Sequence, residues 1–172
     1  MFNKDELIAQ LKRENSVLRK IAFTDELTGL QNRNAYEYKQ STYEKNDNIL
    51  VISIDLNYLK KVNDNYGHQI GDEYIIGLAN ILKSIFRKED IYRIGGDEFA
   101  VMVKNIPTRA AIRFYEELKM HNDIVKISNG ETIKYSFGAI YSDRNLPLND
   151  LYKTADARMY KMKEELHAIR VA

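Results

Sequence analysis

Between Ile49 and Leu56 the chain reads Ile-Leu-Val-Ile-Ser-Ile-Asp-Leu, apolar and β-branched with no Gly or Pro. That is the pattern of a central strand covered on both faces. Ile91 to Ile94 and Phe99 to Val103 alternate as strands do, and Gly95-Gly96 between them reads as a hairpin turn in which the glycines supply positive φ angles. Ile133 to Tyr141 alternates in the same way. A 3.6-residue period predicts helices over Arg33 to Glu44, Gly71 to Phe86, Pro107 to His121 and Leu148 to His167. The second of these places Tyr74, Leu78, Ile81, Leu82 and Ile85 inward; the third Ala111, Phe114, Tyr115 and Leu118; the last Leu151, Ala155, Met159, Met162 and Leu166. The order after residue 23 is helix, strand, helix, hairpin, helix, strand, helix, which predicts an α+β domain with a mainly antiparallel sheet flanked by helices.

Residues 4 to 22 predict a charged helix with Ile8, Leu11, Leu18 and Ala22 on the a and d positions of a heptad and Asn15 at its central a position. Two parallel copies of such a helix can pair their Asn15 amides across the seam. A helix folded back on its own domain is the other reading of so short a repeat. Residues 23 to 33 are turn-rich, with Thr28 and Asn32 each placed to cap a following helix. The chain divides here into a stalk, 1–23, and a domain, 24–172.

Length allows one domain with a sizeable core and a short appendage. With 26 Lys and Arg against 25 Asp and Glu, there is no global attraction to nucleic acid or to an anionic membrane, so an anionic ligand has to be met by local charge. Cysteine is absent, which excludes disulfides and thiolate metal sites and fits a reducing compartment. The first residues lack the apolar core of a secretion signal, and no run approaches the roughly 20 apolar residues that span a bilayer. The expectation is a cytoplasmic chain without direct membrane contact.

The candidate chemistry is acidic. A carboxylate at the end of a buried strand is costly unless it faces a cation or donors, which makes Asp55 a candidate metal ligand. Its alternative role is to cap the next helix, a task for which Asn57 is better placed. Asp97 and Glu98 follow two glycines whose missing Cβ atoms leave room for a phosphate or a metal. The plain alternative is a hairpin closed by Gly-Gly with both carboxylates in water. Residues 55 to 72 carry more polar groups than a structural loop needs, and His68 between two glycine turns reads as structural.

Four stretches carry a resemblance. They are Asp25-Glu26-Leu27-Thr28-Gly29-Leu30-Gln31-Asn32-Arg33, the block from Asp55 to Asp72, Gly95-Gly96-Asp97-Glu98-Phe99, and Ala155-Asp156 through Lys163. From about Phe23 to about Lys163 the chain resembles the GGDEF family of diguanylate cyclases. The resemblance implies a ferredoxin-like nucleotidyl-cyclase palm with an N-terminal signalling helix. It implies a homodimer that condenses two GTP into cyclic di-GMP and pyrophosphate with Mg²⁺ or Mn²⁺. Metal ligands would be Asp55, the Leu56 carbonyl, Asp97 and Glu98. Asn63 and Asp72 would read guanine, the carboxylate accepting from N1–H and the exocyclic amine and the Asn amide satisfying N3. The phosphates would lie against Tyr58, Leu59, Lys60, Gly95 and Gly96, with Lys163 pointing at them. Arg93 would stabilise the transferring phosphoryl group, beside Lys60, Asp97 and Glu98 as catalytic residues, unless it only bridges to a neighbouring Glu.

The chain also departs from the family pattern. Asn57 replaces a second Asp, Leu59 replaces Phe, and Leu166-His167-Ala168 stands where Gly-Arg-Asn often follows the lysine. Arg87 and Asp90 resemble a product-binding inhibitory pair, but one residue too close to Gly95, so an ordinary charged helix end is the preferred reading. Two rivals to the enzyme stand beside it: a catalytically weak receptor for GTP or cyclic di-GMP, and a purely structural dimerisation module.

Overall fold

The computed structural model describes residues 3–43, 48–144 and 146–169, with side chains described to residue 166. Helix α1 (Lys4–Phe23) is followed by α2 (Arg33–Ser41), β1 (Ile49–Leu56), α3 (Leu59–Tyr66), α4 (His68–Ile85), a 3₁₀ turn (Lys88–Asp90), β2 (Ile91–Arg93), β3 (Glu98–Lys104), α5 (Thr108–His121), β4 (Tyr135–Ser142) and α6 (Leu148–Ile169). The strands form one antiparallel sheet in the order β2-β3-β1-β4. This is the split βαββαβ topology of ferredoxin-like domains, as the α+β reading expects.

Strand β1 lies in the middle and every residue of it is buried. Successive side chains point to opposite faces. Leu50, Ile52, Ile54 and Leu56 join Tyr74, Leu78 and Leu82 of α4 and Leu118 of α5 on one side. Ile49 and Val51 join Tyr36 of α2 and Leu151 and Ala155 of α6 on the other. The same alternation turns Ser53 and Asp55 towards α6.

Both sheet edges are closed. Beside β2, the Gln31 N–H donates to Ile91 O at 3.2 Å and Gln31 O accepts from the Arg93 N–H at 2.8 Å. On β4 the outward peptide groups meet side chains. Asn122 donates to Tyr135 O at 2.7 Å and accepts from its N–H at 3.1 Å, Met162 Sδ accepts from the Phe137 N–H at 3.4 Å, and Arg158 donates to Ala139 O. An open edge is a template for pairing with another chain, and these side chains occupy it.

Several local expectations are corrected. Asn57 caps nothing: it is 3 % exposed, and its amide exchanges hydrogen bonds with the Ser136 hydroxyl at 3.1 and 3.2 Å. Tyr58, with φ 67°, reverses the chain into α3 without a side-chain cap. A first helix, α3, precedes the predicted one, and Gly67 at φ 83° breaks the two apart, so Asp72 sits in the second turn of α4. Asn32 does cap α2, accepting from the Ala35 N–H at 3.0 Å, whereas Thr28 sits within a turn and bonds Asp25. Helix α2 stops at Ser41, and the predicted end at Glu44 lies outside the described residues. Residues 88–90 form a 3₁₀ turn rather than a helix end. Tyr115 packs against Phe137 with ring centroids 5.2 Å apart and planes tilted by 59°, but it remains 43 % exposed at the rim.

Helix α1 buries no residue. Leu11, Leu18 and Ile21 are 55, 64 and 71 % exposed, so the helix does not fold its apolar positions onto its own domain. Its last turn is tied down where Ala22 O accepts from Asn32 and Asn34. No helix among the described residues is long and apolar enough to cross a membrane.

Candidate active site

The site lies where β1 ends. Asp55 pairs in register with Glu98 of β3 on one side and Ser136 of β4 on the other. One residue on, the Leu56 N–H donates to Asp97 O at 2.9 Å, tying the hairpin turn to the strand end. The carboxylates of Asp55, Asp97 and Glu98 thus gather at one rim of the sheet. Burial raises the Asp55 pKa, Lys163 opposes that through its hydrogen bond and its charge, and Asp97 and Asp156 add to the rise; the net shift is upward.

Lys163 reaches this rim from α6. Its Nζ lies 2.6 Å from Asp55 Oδ1, so the ammonium sits against the carboxylate itself. Two turns earlier on α6, Asp156 accepts from the Ser53 hydroxyl at 3.0 Å on the same face of β1. Asp156 stands in the last of the four motifs with no role of its own there, and the period-two pattern of β1 is the signal that aligns it with Ser53 and Asp55.

The glycines of the turn act by size. Neither Gly95 nor Gly96 has a positive φ, contrary to the hairpin expectation. A Cβ on Gly95 would overlap the Glu98 carboxylate, whereas Gly96 has open space around its Cα. Arg93 departs from expectation as well: its charged partner is Asp25 of the linker, at 3.1 Å, not a neighbouring Glu.

Beyond the strand end, the first helical hydrogen bond of α3 runs from the Val62 N–H to Tyr58 O, which leaves the N–H groups of Leu59, Lys60 and Lys61 ahead of it. Lys60 is exposed. On the next turn the Asn63 Oδ1 is buried with no hydrogen-bond partner, wedged against Gly71, where any Cβ would overlap it. An unmet buried acceptor costs about 1–3 kcal/mol. The exposed carboxylate of Asp72 follows directly, so the two residues expected to read a base lie together. The orphan atom is an acceptor, so a ligand seated here would present it with a donor.

Arg87 and Asp90 stand apart from this cluster. Arg87 faces Glu89 at 3.7 Å with both side chains largely exposed, and burial raises the Asp90 pKa against the pull of Arg87 and Lys39. Among the described residues no three His, Cys, Asp or Glu side chains form a ready metal cage. The donors at the rim are nevertheless all oxygen, and a cation, the Lys163 ammonium, already rests on Asp55. A hard divalent ion fits such a set when phosphate oxygens complete its shell.

Known proteins place this chain in a family. Residues 22–167 match the family described as Diguanylate cyclase, GGDEF domain. The chain is 30 % identical over 164 residues to the diguanylate cyclase VdcA of Vibrio cholerae, covering 91 % of this chain and 48 % of VdcA. It is 31 % identical over 165 residues to the diguanylate cyclase DgcM of Escherichia coli K12, covering 92 % of this chain and 40 % of DgcM. The chain therefore spans less than half the length of these relatives. In fold it is similar to the coiled coil and GGDEF domain of DgcB from Caulobacter crescentus, solved in complex with c-di-GMP, with a TM-score of 0.77, 24 % identity and coverage of 94 % and 91 % of the two chains. The palm topology is thus a shared fold, and the chain belongs to the GGDEF domain family of diguanylate cyclases.

Proposed function

We propose that this chain is a diguanylate cyclase, joining two GTP molecules into cyclic di-GMP with release of pyrophosphate. The observation that carries the reading is the sheet rim itself: Asp55 and Asp97 are brought together by the 2.9 Å bond from Leu56 N–H to Asp97 O, and Lys163 sits on Asp55 at 2.6 Å. Asp55, Asp97 and the Leu56 carbonyl would hold a Mg²⁺ or Mn²⁺ ion, with Glu98 beside them, and such an ion supplies the charge that lowers a hydroxyl pKa and neutralises a phosphoryl group. Asp72 and Asn63 bind the guanine edge through its N–H donors, which adenine does not present in that pairing. The free N–H groups at the start of α3, with Lys60 and the open side of Gly96, receive phosphate oxygens. Lys163 is the mobile cation of the site, releasing Asp55 and turning to the triphosphate as a point charge.

Each domain has one such site, so two domains must face one another for the 3′-hydroxyl of one nucleotide to attack the α-phosphate of the other. Incubation with GTP and Mg²⁺, followed by chromatographic separation of products, should yield cyclic di-GMP and pyrophosphate and leave ATP unused. Absence of any cyclic dinucleotide over a wide range of protein concentration overturns the proposal. Tight GTP binding under those same conditions would replace it with a receptor role.

A further inference from the structure

Arg93 is committed inside the fold on all three of its side-chain nitrogens. Nη1 donates to both Asp25 oxygens, at 3.1 and 3.2 Å, while Nε and Nη2 donate to the Gly96 carbonyl at 3.3 and 2.9 Å. Both side chains are mostly shielded, at 14 % and 21 % exposure. Asp25 is itself held by the Thr28 hydroxyl at 2.6 Å and the Thr28 N–H at 2.9 Å. Burial pushes its pKa up, but the Thr28 donors and the Arg93 charge outweigh that and keep it below the usual carboxylate value, so Asp25 is an anion at neutral pH.

The Gly96 carbonyl and the Asp97 N–H belong to one planar peptide unit. On the far side of Asp97, its own carbonyl is fixed by the Leu56 N–H at 2.9 Å. The peptide planes on both sides of Asp97 are therefore pinned, one by Arg93 and the other by β1, and together they set its φ and ψ. Gly96 supplies no restraint of its own, since it lacks a Cβ and has open space around it.

We propose that Asp25 and Arg93 are positioning residues for the glycine turn: Asp25 orients the guanidinium, which holds the Gly96 carbonyl and so aims the Asp97 carboxylate at the rim beside Asp55. The inference rests on the reading of Asp55 and Asp97 as metal ligands. It gives Arg93 a task besides contact with the transferring phosphoryl group, one that uses at most four of its five N–H groups and leaves one on Nη2. It also gives the loop that follows α1 a direct hold on the site. Asp25 lies just past Phe23, and the same loop is hydrogen-bonded to β2 through Gln31.

The test compares Asp25→Asn, Arg93→Lys and the double variant in the full chain. Three readouts are taken: Mn²⁺ affinity without nucleotide by electron paramagnetic resonance, hydrogen exchange across residues 94–98, and steady-state turnover of GTP. Asp25→Asn should weaken Mn²⁺ binding about fivefold, speed exchange in the turn, and lower kcat about tenfold while the KM for GTP moves less than about twofold, since Asn63 and Asp72 are untouched. Arg93→Lys keeps the charge but cannot fork between two acceptors, so it should match Asp25→Asn, and the double variant should be no worse than Arg93→Lys alone. Thermal midpoints are read alongside. A variant that does not fold is replaced by Thr28→Val, which removes one donor to Asp25 and should give the same changes in smaller measure. Wild-type Mn²⁺ affinity and exchange in Asp25→Asn, or full turnover in Arg93→Lys, overturns the inference. If the unaltered chain makes no cyclic dinucleotide, the metal and exchange readouts still decide it, so the two readings fail separately.

Discussion

Lys163 shows how much a single side chain decides at this site. Its ammonium rests on Asp55, a carboxylate that burial and two neighbouring acids push towards protonation. Any divalent ion that uses Asp55 must displace or share with that ammonium, so the lysine competes with the ion until a triphosphate draws it away. Lys163→Met should therefore tighten Mn²⁺ binding in the absence of nucleotide, by about fivefold, while lowering kcat/KM for GTP by about tenfold or more. An electron paramagnetic resonance titration alongside initial rates checks both, and unchanged or weaker Mn²⁺ affinity would show that the ion does not contest Asp55. The sequence pointed to such residues through their match to the family's motifs, and to Asp55 also through its place at the end of a buried strand. Their partners were not legible there. Gly95 is small because Glu98 lies against it, Asn57 bonds Ser136 on a distant strand, and Arg93 meets Asp25 across 68 positions of chain. The last two depend on which elements pack together and the first on the shape of one turn, and local pattern carries no information on either.

At the scale of elements, α6 is fitted to the sheet by the absence of one side chain. A Cβ on Gly138 of β4 would overlap the backbone of Ala155 and Met159 as well as the Arg158 Cβ. Backbone cannot yield as a flexible side chain can, so Gly138→Ala should cost about 3 kcal/mol and lift α6 from β4. Because α6 carries Lys163 to Asp55 and Asp156 to Ser53, the same change should loosen both contacts. Chemical denaturation measures the first effect, and loss of the Lys163 competition described above reports the second; full stability in Gly138→Ala would mean that the helix tolerates a wider spacing. The order and type of the main elements were readable from periodicity, since β1 is a run of buried β-branched residues and α4, α5 and α6 have clear apolar stripes. The break between α3 and α4 was not, because it depends on the left-handed Gly67, and a glycine between polar residues has several other uses. Asn122, whose amide stands in for a neighbouring strand beside Tyr135, gave no periodic signal at all.

The whole molecule presents two unmatched features that fit one another. Its proposed reaction joins two nucleotides, yet the domain has one acidic rim and one Asn63–Asp72 pair. Its α1 helix leaves Leu11, Leu18 and Ile21 more than half exposed, an arrangement that wastes apolar surface unless another helix covers it. A second copy of α1 in parallel would cover that stripe, pair Asn15 with its counterpart, and bring the two domains to the same end of the seam. Only about two heptads are present, so the association should be weak and the rate per protein should rise with protein concentration until the dimer saturates. Replacing Leu11 and Leu18 together by Glu sets like charges at that seam without touching a buried residue of the domain. The thermal midpoint of the domain should then stay within about 2 °C of the parent, since exposed substitutions rarely shift stability by more than about 0.5 kcal/mol. Sedimentation should show a monomer at concentrations where the parent associates, and cyclic di-GMP formation should fall about tenfold or more at those concentrations while binding of GTP to each domain is kept. Turnover that is independent of protein concentration and unaffected by the double substitution would mean that the two sites meet through the domains themselves, with the exposed stripe of α1 reserved for a different helix.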